Sequence, residues 1–326
     1  MNGDVVLRVV LLIATAVLPL AAASCAGPPR RDNPPTAYVV EAEDSLLSRH
    51  APVFVLQTAS ESHNRIGTPS ARLRANGKEQ IYVDPSRPTF YAQRESFRTE
   101  RGEYTNLIYR VHFERTPLPH LTAGRNVGLI AIMTLNTEGE PVLLTTVHSC
   151  GCYPAWQPTT YLPADARPGG WRAGNQEVFG ETLPGLLPYP PVFSARYRPA
   201  IYLRNDVHRV MDVEVLDVQE VGWRFDVQGA DLQPMSALDE LPLDGGSTSF
   251  FHNDGPRRGY VKGCSKPLER LLISWWALDW RVGVDKRYGP RDEMNTVFYT
   301  SLKPWRRKES DMWPFGEFLK YWGWGL

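Results

Sequence analysis

Residues 126–150 read NVGLIAIMTL-NTEGE-PVLLTTVHSC, and the fold is decided by how this stretch is read. Two short runs, 126–135 and 141–150, are rich in Ile, Leu, Val and Thr. The five polar residues between them include Gly139, so the pattern predicts an antiparallel β-hairpin. If Leu135 lies opposite Pro141, the register sets Gly128 against His148 and Asn126 against Cys150. A slip of one residue would reverse the facing. Along the second strand Val142, Leu144, Thr146, His148, Cys150 and Cys152 fall on one face, because side chains alternate with period two.

Working outward, 104–114 alternates in the same way. Leu107, Tyr109, Val111 and Phe113 make an apolar face, and Asn106, Arg110 and His112 a polar one. Paired beside the hairpin, it completes a three-stranded meander. Further strands are predicted at 52–57, 80–83, 88–93, 201–204, 207–218 and 223–227. Helices come late. One is expected at 267–280, with Ser265 as N-cap and Pro267 in the first turn, and one at 314–321. The run 271–278 is apolar all round, so the first helix is expected to be buried. The aromatic C-terminus suggests a helix packed into the core, with a membrane-docking or sugar-stacking surface as the alternative. The predicted fold class is therefore α+β and β-rich, an antiparallel meander or sandwich-like sheet with a C-terminal helical segment packed on it. The expected divisions are 51–165 for the meander, 166–192 for an irregular Pro/Gly-rich connection, and 193–326 for a second β set plus helices. The first and last could form one domain.

The chemistry concentrates at the end of the hairpin. His148, Cys150 and Cys152 lie within five positions, Cys264 is distant in sequence, and the meander predicts that His112 and His120 reach the same end. Three readings follow; the first and third make the chain a metal-holding or disulfide-stapled binding module, the leading expectation, and the second makes it an enzyme, the alternative. The first is a metal site, zinc or copper, drawing on His148, Cys150, Cys152, Cys264, His120 and His112. It requires Gly151 to bend the chain, since residues two apart in a straight strand are about 6.6 Å apart. The second is a thiol–disulfide oxidoreductase with Cys150, Cys152 and His148 as its catalytic residues, because a Cys-Gly-Cys ring is strained and exchanges readily. The third is a structural staple joining Cys264 to Cys150 or Cys152. His50, His63, His208 and His252 show no ligand spacing and read as ordinary surface or loop residues.

Lys plus Arg and Asp plus Glu number 36 each, so no global field would attract nucleic acid. Nucleoside-phosphate loops and the serine-hydrolase elbow are absent from the sequence.

At the N-terminus, Arg8 precedes an apolar run over 9–20, followed by Ala21, Ala22, Ala23, Ser24 and Cys25. These residues resemble the signal and lipobox of bacterial lipoproteins, and the resemblance covers the first 25 residues only. It implies removal of 1–24, lipidation of Cys25 and attachment to a membrane of the cell envelope. Ala26 after the cysteine favours the outer membrane in a Gram-negative cell. A secretory signal without lipid, or an uncleaved anchor, fits the same residues. Residues 25–50 then read as a Pro-rich tether. The partner or ligand of such an envelope protein is not legible in the sequence.

Overall fold

The computed structural model describes residues 34–41 and 45–326; the signal segment and Cys25 lie outside them. The fold is α+β and β-rich, as expected. In chain order the strands are β1 (Thr36–Val40), β2 (Val53–Leu56), β3 (Thr68–Leu73), β4 (Glu79–Asp84), β5 (Thr89–Arg98), β6 (Glu103–Thr116), β7 (Gly124–Leu135), β8 (Pro141–His148) and β9 (Ala155–Pro158). They continue as β10 (Asn175–Val178), β11 (Glu181–Pro184), β12 (Tyr197–Leu203), β13 (Val210–Asp217), β14 (Asp226–Pro234), β15 (Leu241–Leu243) and β16 (Gly246–Thr248). Ten of them form one sheet in the order β13-β12-β2-β1-β14-β5-β6-β7-β8-β9.

β6, β7 and β8 form the predicted three-stranded antiparallel meander, which β5 and β9 extend on either side. The remainder is mixed, with parallel junctions β12/β2, β1/β14 and β14/β5. Strands from early and late in the sequence therefore interleave. Part of the stretch expected as a tether is instead folded, because β1 lies within the sheet between β2 and β14; residues 25–33 lie outside the described residues. Of the expected strand at 223–227, the first residues form a helical turn, Val221–Arg224, and β14 starts at Asp226.

The sheet curls around its main core. Leu107, Tyr109, Val111, Phe113, Leu129 and Leu144 of the meander meet Phe54, Ile201, Leu203 and Val213 from the other end. Its second face is also covered. There Ile108, Ile130, Ile132, Leu143 and Val147 pack against Phe298, Met312, Phe315, Phe318, Leu319 and Trp324, which places these C-terminal aromatics in the core and leaves Trp305 exposed. Consequently the polar face of β6 is not solvated: Asn106, Arg110 and His112 are all buried beneath the C-terminal region.

Two further expectations are corrected. Leu135 does face Pro141, but a bulge between Thr134 and Leu135 shifts the rest of the ladder, so His148 opposes Leu129 and Gly128 opposes His112. The late helix runs over Pro267–Ala277, with Lys266 rather than Ser265 at its N-cap and no side-chain capping bond. It is not buried. Its inward residues are Glu269, Ser274 and Ala277, while Leu271, Leu272, Trp275 and Trp276 face outward. Continuous hydrophobicity gave no direction to the helix, and the polar needs of the site beneath decided which side turned in. The second helix, Phe315–Tyr321, forms where expected.

Candidate functional site

β8 ends at His148, and the chain folds back at once. The Gly151 N–H donates to the His148 carbonyl at 2.8 Å, and the His148 N–H to the Cys152 carbonyl at 3.0 Å. Gly151 has φ +93°, and a Cβ there would lie 2.0 Å from the Tyr299 carbonyl oxygen. Glycine is thus required twice, by backbone conformation and by close approach. We expect Gly151→Ala to destabilise the protein by about 2–3 kcal/mol, measured by denaturant unfolding; a variant as stable as the parent would show that the turn does not depend on this contact.

The curl brings Cys150 and Cys152 together under the Pro267–Ala277 helix. Cys150 is buried, whereas Cys152 and Cys264 are half-buried, and all three thiols are unbridged. The staple open to the sequence is therefore not formed in this structure. The Cys152 thiol donates to Glu269 Oε1 at 3.7 Å, and the Cys264 thiol to Asp285 Oδ2 at 3.3 Å. Asp285 is the hub. Its Oδ1 accepts from the Gly128 N–H at 3.1 Å and from the Ser149 hydroxyl, and its Oδ2 pairs with Lys266 Nζ at 3.2 Å. Lys266 also lies 3.8 Å from Glu269 Oε2. Lys286 Nζ donates to the Cys150 carbonyl at 2.7 Å, and Arg110 to the Lys286 carbonyl at 2.8 Å.

Lys266, Lys286, Arg110 and Asp285 are all buried. Burial alone would raise the Asp285 carboxyl, but Lys266, the Ser149 and Cys264 hydrogen bonds and Arg110 hold it below the usual carboxylate value. Glu269 goes the other way, since burial outweighs Lys266 and pushes its carboxyl up. Three basic side chains, Lys266, Lys286 and Arg110, are thus enclosed with two acidic ones, Asp285 and Glu269. The Lys266 ammonium favours a thiolate. Burial raises the Cys150 thiol, yet the hydrogen bond with Cys152 and the Lys266 ammonium more than offset it, leaving Cys150 below the ordinary thiol value. Cys152 is pushed well above that value by the same hydrogen bond and by burial. Cys264 is also pushed well above it, by burial and the facing Asp285.

The imidazoles do not join this cluster. His112 receives a hydrogen bond from Arg110 Nε at 3.0 Å and packs edge-on against Phe250. His148 Nε2 contacts the His208 carbonyl at 3.2 Å, and His208 Nε2 contacts the His63 carbonyl at 2.8 Å. His63 pairs with Asp206 at 2.7 Å, and His120 lies 3.9 Å from the same carboxylate. His50, His63 and His208, expected at the surface, are buried, as internal partners or ring stacking replace water around them. Among the described residues, no three His, Cys, Asp or Glu side chains are grouped to hold a metal ion.

The sequence located the three thiols. It missed Lys266, Glu269, Asp285, Lys286 and Arg110, whose spacing carries no motif. The available signal was charge placed inside otherwise apolar stretches, Glu269 within the late helix above all. No known protein family, curated protein or solved structure matches the chain.

Proposed function

We propose that the chain is an exported, lipid-anchored protein of the cell envelope whose Cys150–Cys152 pair donates a disulfide to partner dithiols. The observation that carries this reading is geometric: the turn at Gly151 folds two unbridged thiols together, Cys150 buried and Cys152 half-buried and touching Glu269, beside the buried Lys266 ammonium. The location rests on the resemblance at residues 1–25.

In the oxidised protein, a partner thiolate attacks the accessible sulfur, Cys152. A mixed disulfide forms, and the Cys150–Cys152 bond breaks with its electron pair leaving on Cys150. Thiols of low pKa leave faster, and the Lys266 ammonium stabilises the thiolate released. The partner's second thiolate then attacks its own sulfur in the mixed disulfide. Cys152 leaves as a thiolate and takes a proton from water. The partner loses two electrons to the pair, and the small Cys-Gly-Cys ring gives the oxidised state a high reduction potential.

Redox titration in glutathione buffers, followed by alkylation and mass spectrometry, provides the test. A reversible Cys150–Cys152 disulfide is expected, together with oxidation of a reduced model protein. Cys152→Ser should abolish turnover and Cys264→Ser should retain it. Cys150→Ser, which removes the other half of the disulfide, should abolish turnover as well. No disulfide at any poise, or a stoichiometric metal that blocks alkylation until chelated, would overturn the proposal.

A further inference from the structure

The Pro267–Ala277 helix is inside out for a surface helix. Its buried residues are a carboxyl, a hydroxyl and a methyl: Glu269, Ser274 and Ala277. Its large apolar residues stand in solvent, with Leu271 71 %, Trp275 69 % and Trp276 67 % exposed, and the face continues through Leu278 at 73 % and Trp280 at 65 %. Trp305, 74 % exposed, extends it: Arg307 of the same loop donates to the Ala277 carbonyl and so holds that loop against the helix end. At about 250 Å² per Trp, the four indoles alone offer roughly 600–700 Å², more than the patch a soluble monomer normally leaves open.

Its charge says what covers it. Over 270–281 and 302–309 there are six basic residues and two acids. Asp279 accepts from the Tyr299 hydroxyl, Glu309 pairs with Arg306, and the Arg270 guanidinium lies 4.3 Å above the Trp280 ring. Indoles and leucines bordered by Arg and Lys, with little free acid, match the boundary between anionic lipid headgroups and acyl chains, where Trp partitions and basic side chains are attracted to the headgroups. A protein interface of this size normally depletes its core of charge and carries paired polar groups at its rim.

We propose that this face docks onto an anionic membrane surface, the Pro267–Ala277 helix lying in the plane of the bilayer with its indoles at headgroup depth. The inference is independent of the thiol chemistry proposed above. The test uses the full chain and vesicles carrying brominated acyl chains, which quench indoles that reach them. Quenching is expected with phosphatidylserine-containing vesicles, weakened in purely zwitterionic vesicles and in 1 M salt, where the Debye length is about 3 Å. Trp275→Ser, Trp276→Ser and Trp280→Ser combined replace only exposed side chains and should cut the quenching signal by about tenfold or more, with thiol titration unchanged as a check on the fold. Because parent and variant share the same N-terminus, an anchor there cannot produce the difference. Absence of quenching, quenching untouched by the triple substitution, or a solution dimer that the substitution dissolves would each overturn the proposal, the last assigning the face to a second copy of this chain.

Discussion

Replacing Asp285 with Asn is expected to cost about 3–5 kcal/mol, the largest loss from any single substitution in the thiol site. Asp285 joins four parts of the chain through one carboxylate: the Gly128 amide on β7, the Ser149 hydroxyl after β8, the Cys264 thiol and the Lys266 ammonium. The amide oxygen of Asn can still accept one bond. The charge that balances Lys266 is lost, and an unpaired buried ammonium is far more costly than a missing hydrogen bond. A double-substitution cycle separates the two contributions. In a Lys266→Met background the same Asp285→Asn change should cost only about 1 kcal/mol, the scale of a single hydrogen bond. Equal costs in the two backgrounds would show that Asp285 does not act as the counter-ion. The alkylation rate of Cys150 gives a second readout with opposite signs. Its pH profile should shift down in Asp285→Asn, where a nearby negative charge disappears, and up in Lys266→Met, where the stabilising cation does.

The second large effect is a loss of stability in mild acid, and it comes from three imidazoles. Burial, aided by Arg49 and Arg198, pulls His50 down to about 4. Burial and Lys266 pull His148 to about 4 against the favourable Asp285, and burial pulls His208 to about 3. His208 Nδ1 has no hydrogen-bond partner, and the ring stacks on Phe113 with centroids 3.9 Å apart, so a second proton would have no acceptor. In the unfolded chain these groups titrate near 6.5. The unfolded state therefore binds protons first, and the stability these groups contribute is complete above about pH 6.5 and is lost as the pH falls toward the folded values. At pH 5 each would have lost about 2 kcal/mol. The melting temperature should consequently fall by on the order of 10–20 °C between pH 7 and pH 5. His50→Gln and His208→Gln should each flatten that dependence, whatever their cost at neutral pH. A melting temperature constant over this range would contradict the burial of these rings.

The meander was legible because its alternation and its turn at Gly139 are local properties. Strand pairing between distant segments was not. Thr36–Val40 is five residues long and sits in a Pro-rich context, and only its pairing with β2 and β14 makes it a strand. The bulge beside Leu135 displaced the predicted register by one residue, enough to set His148 against Leu129 instead of Gly128. The site was half legible. Cysteine is rare enough for position alone to flag it, and the bend at Gly151 followed from what two neighbouring thiols need in order to meet. The charged partners were hidden because a Lys or Asp in sequence reads as solvated by default, and only tertiary structure shows which ones are enclosed. The late helix misled for a related reason: a uniformly apolar segment fits a core and a lipid surface equally well.

The placement of β1 also bears on mechanical load. Tension applied along the N-terminal segment would reach the folded body at Thr36, in a strand held on one edge by parallel β14 and on the other by antiparallel β2. The backbone hydrogen bonds on both edges lie across the pulling direction, so they are loaded in shear and share the force instead of opening one after another. A pull on the chain ahead of Thr36 would therefore open β1 only by shearing both of its edges at once.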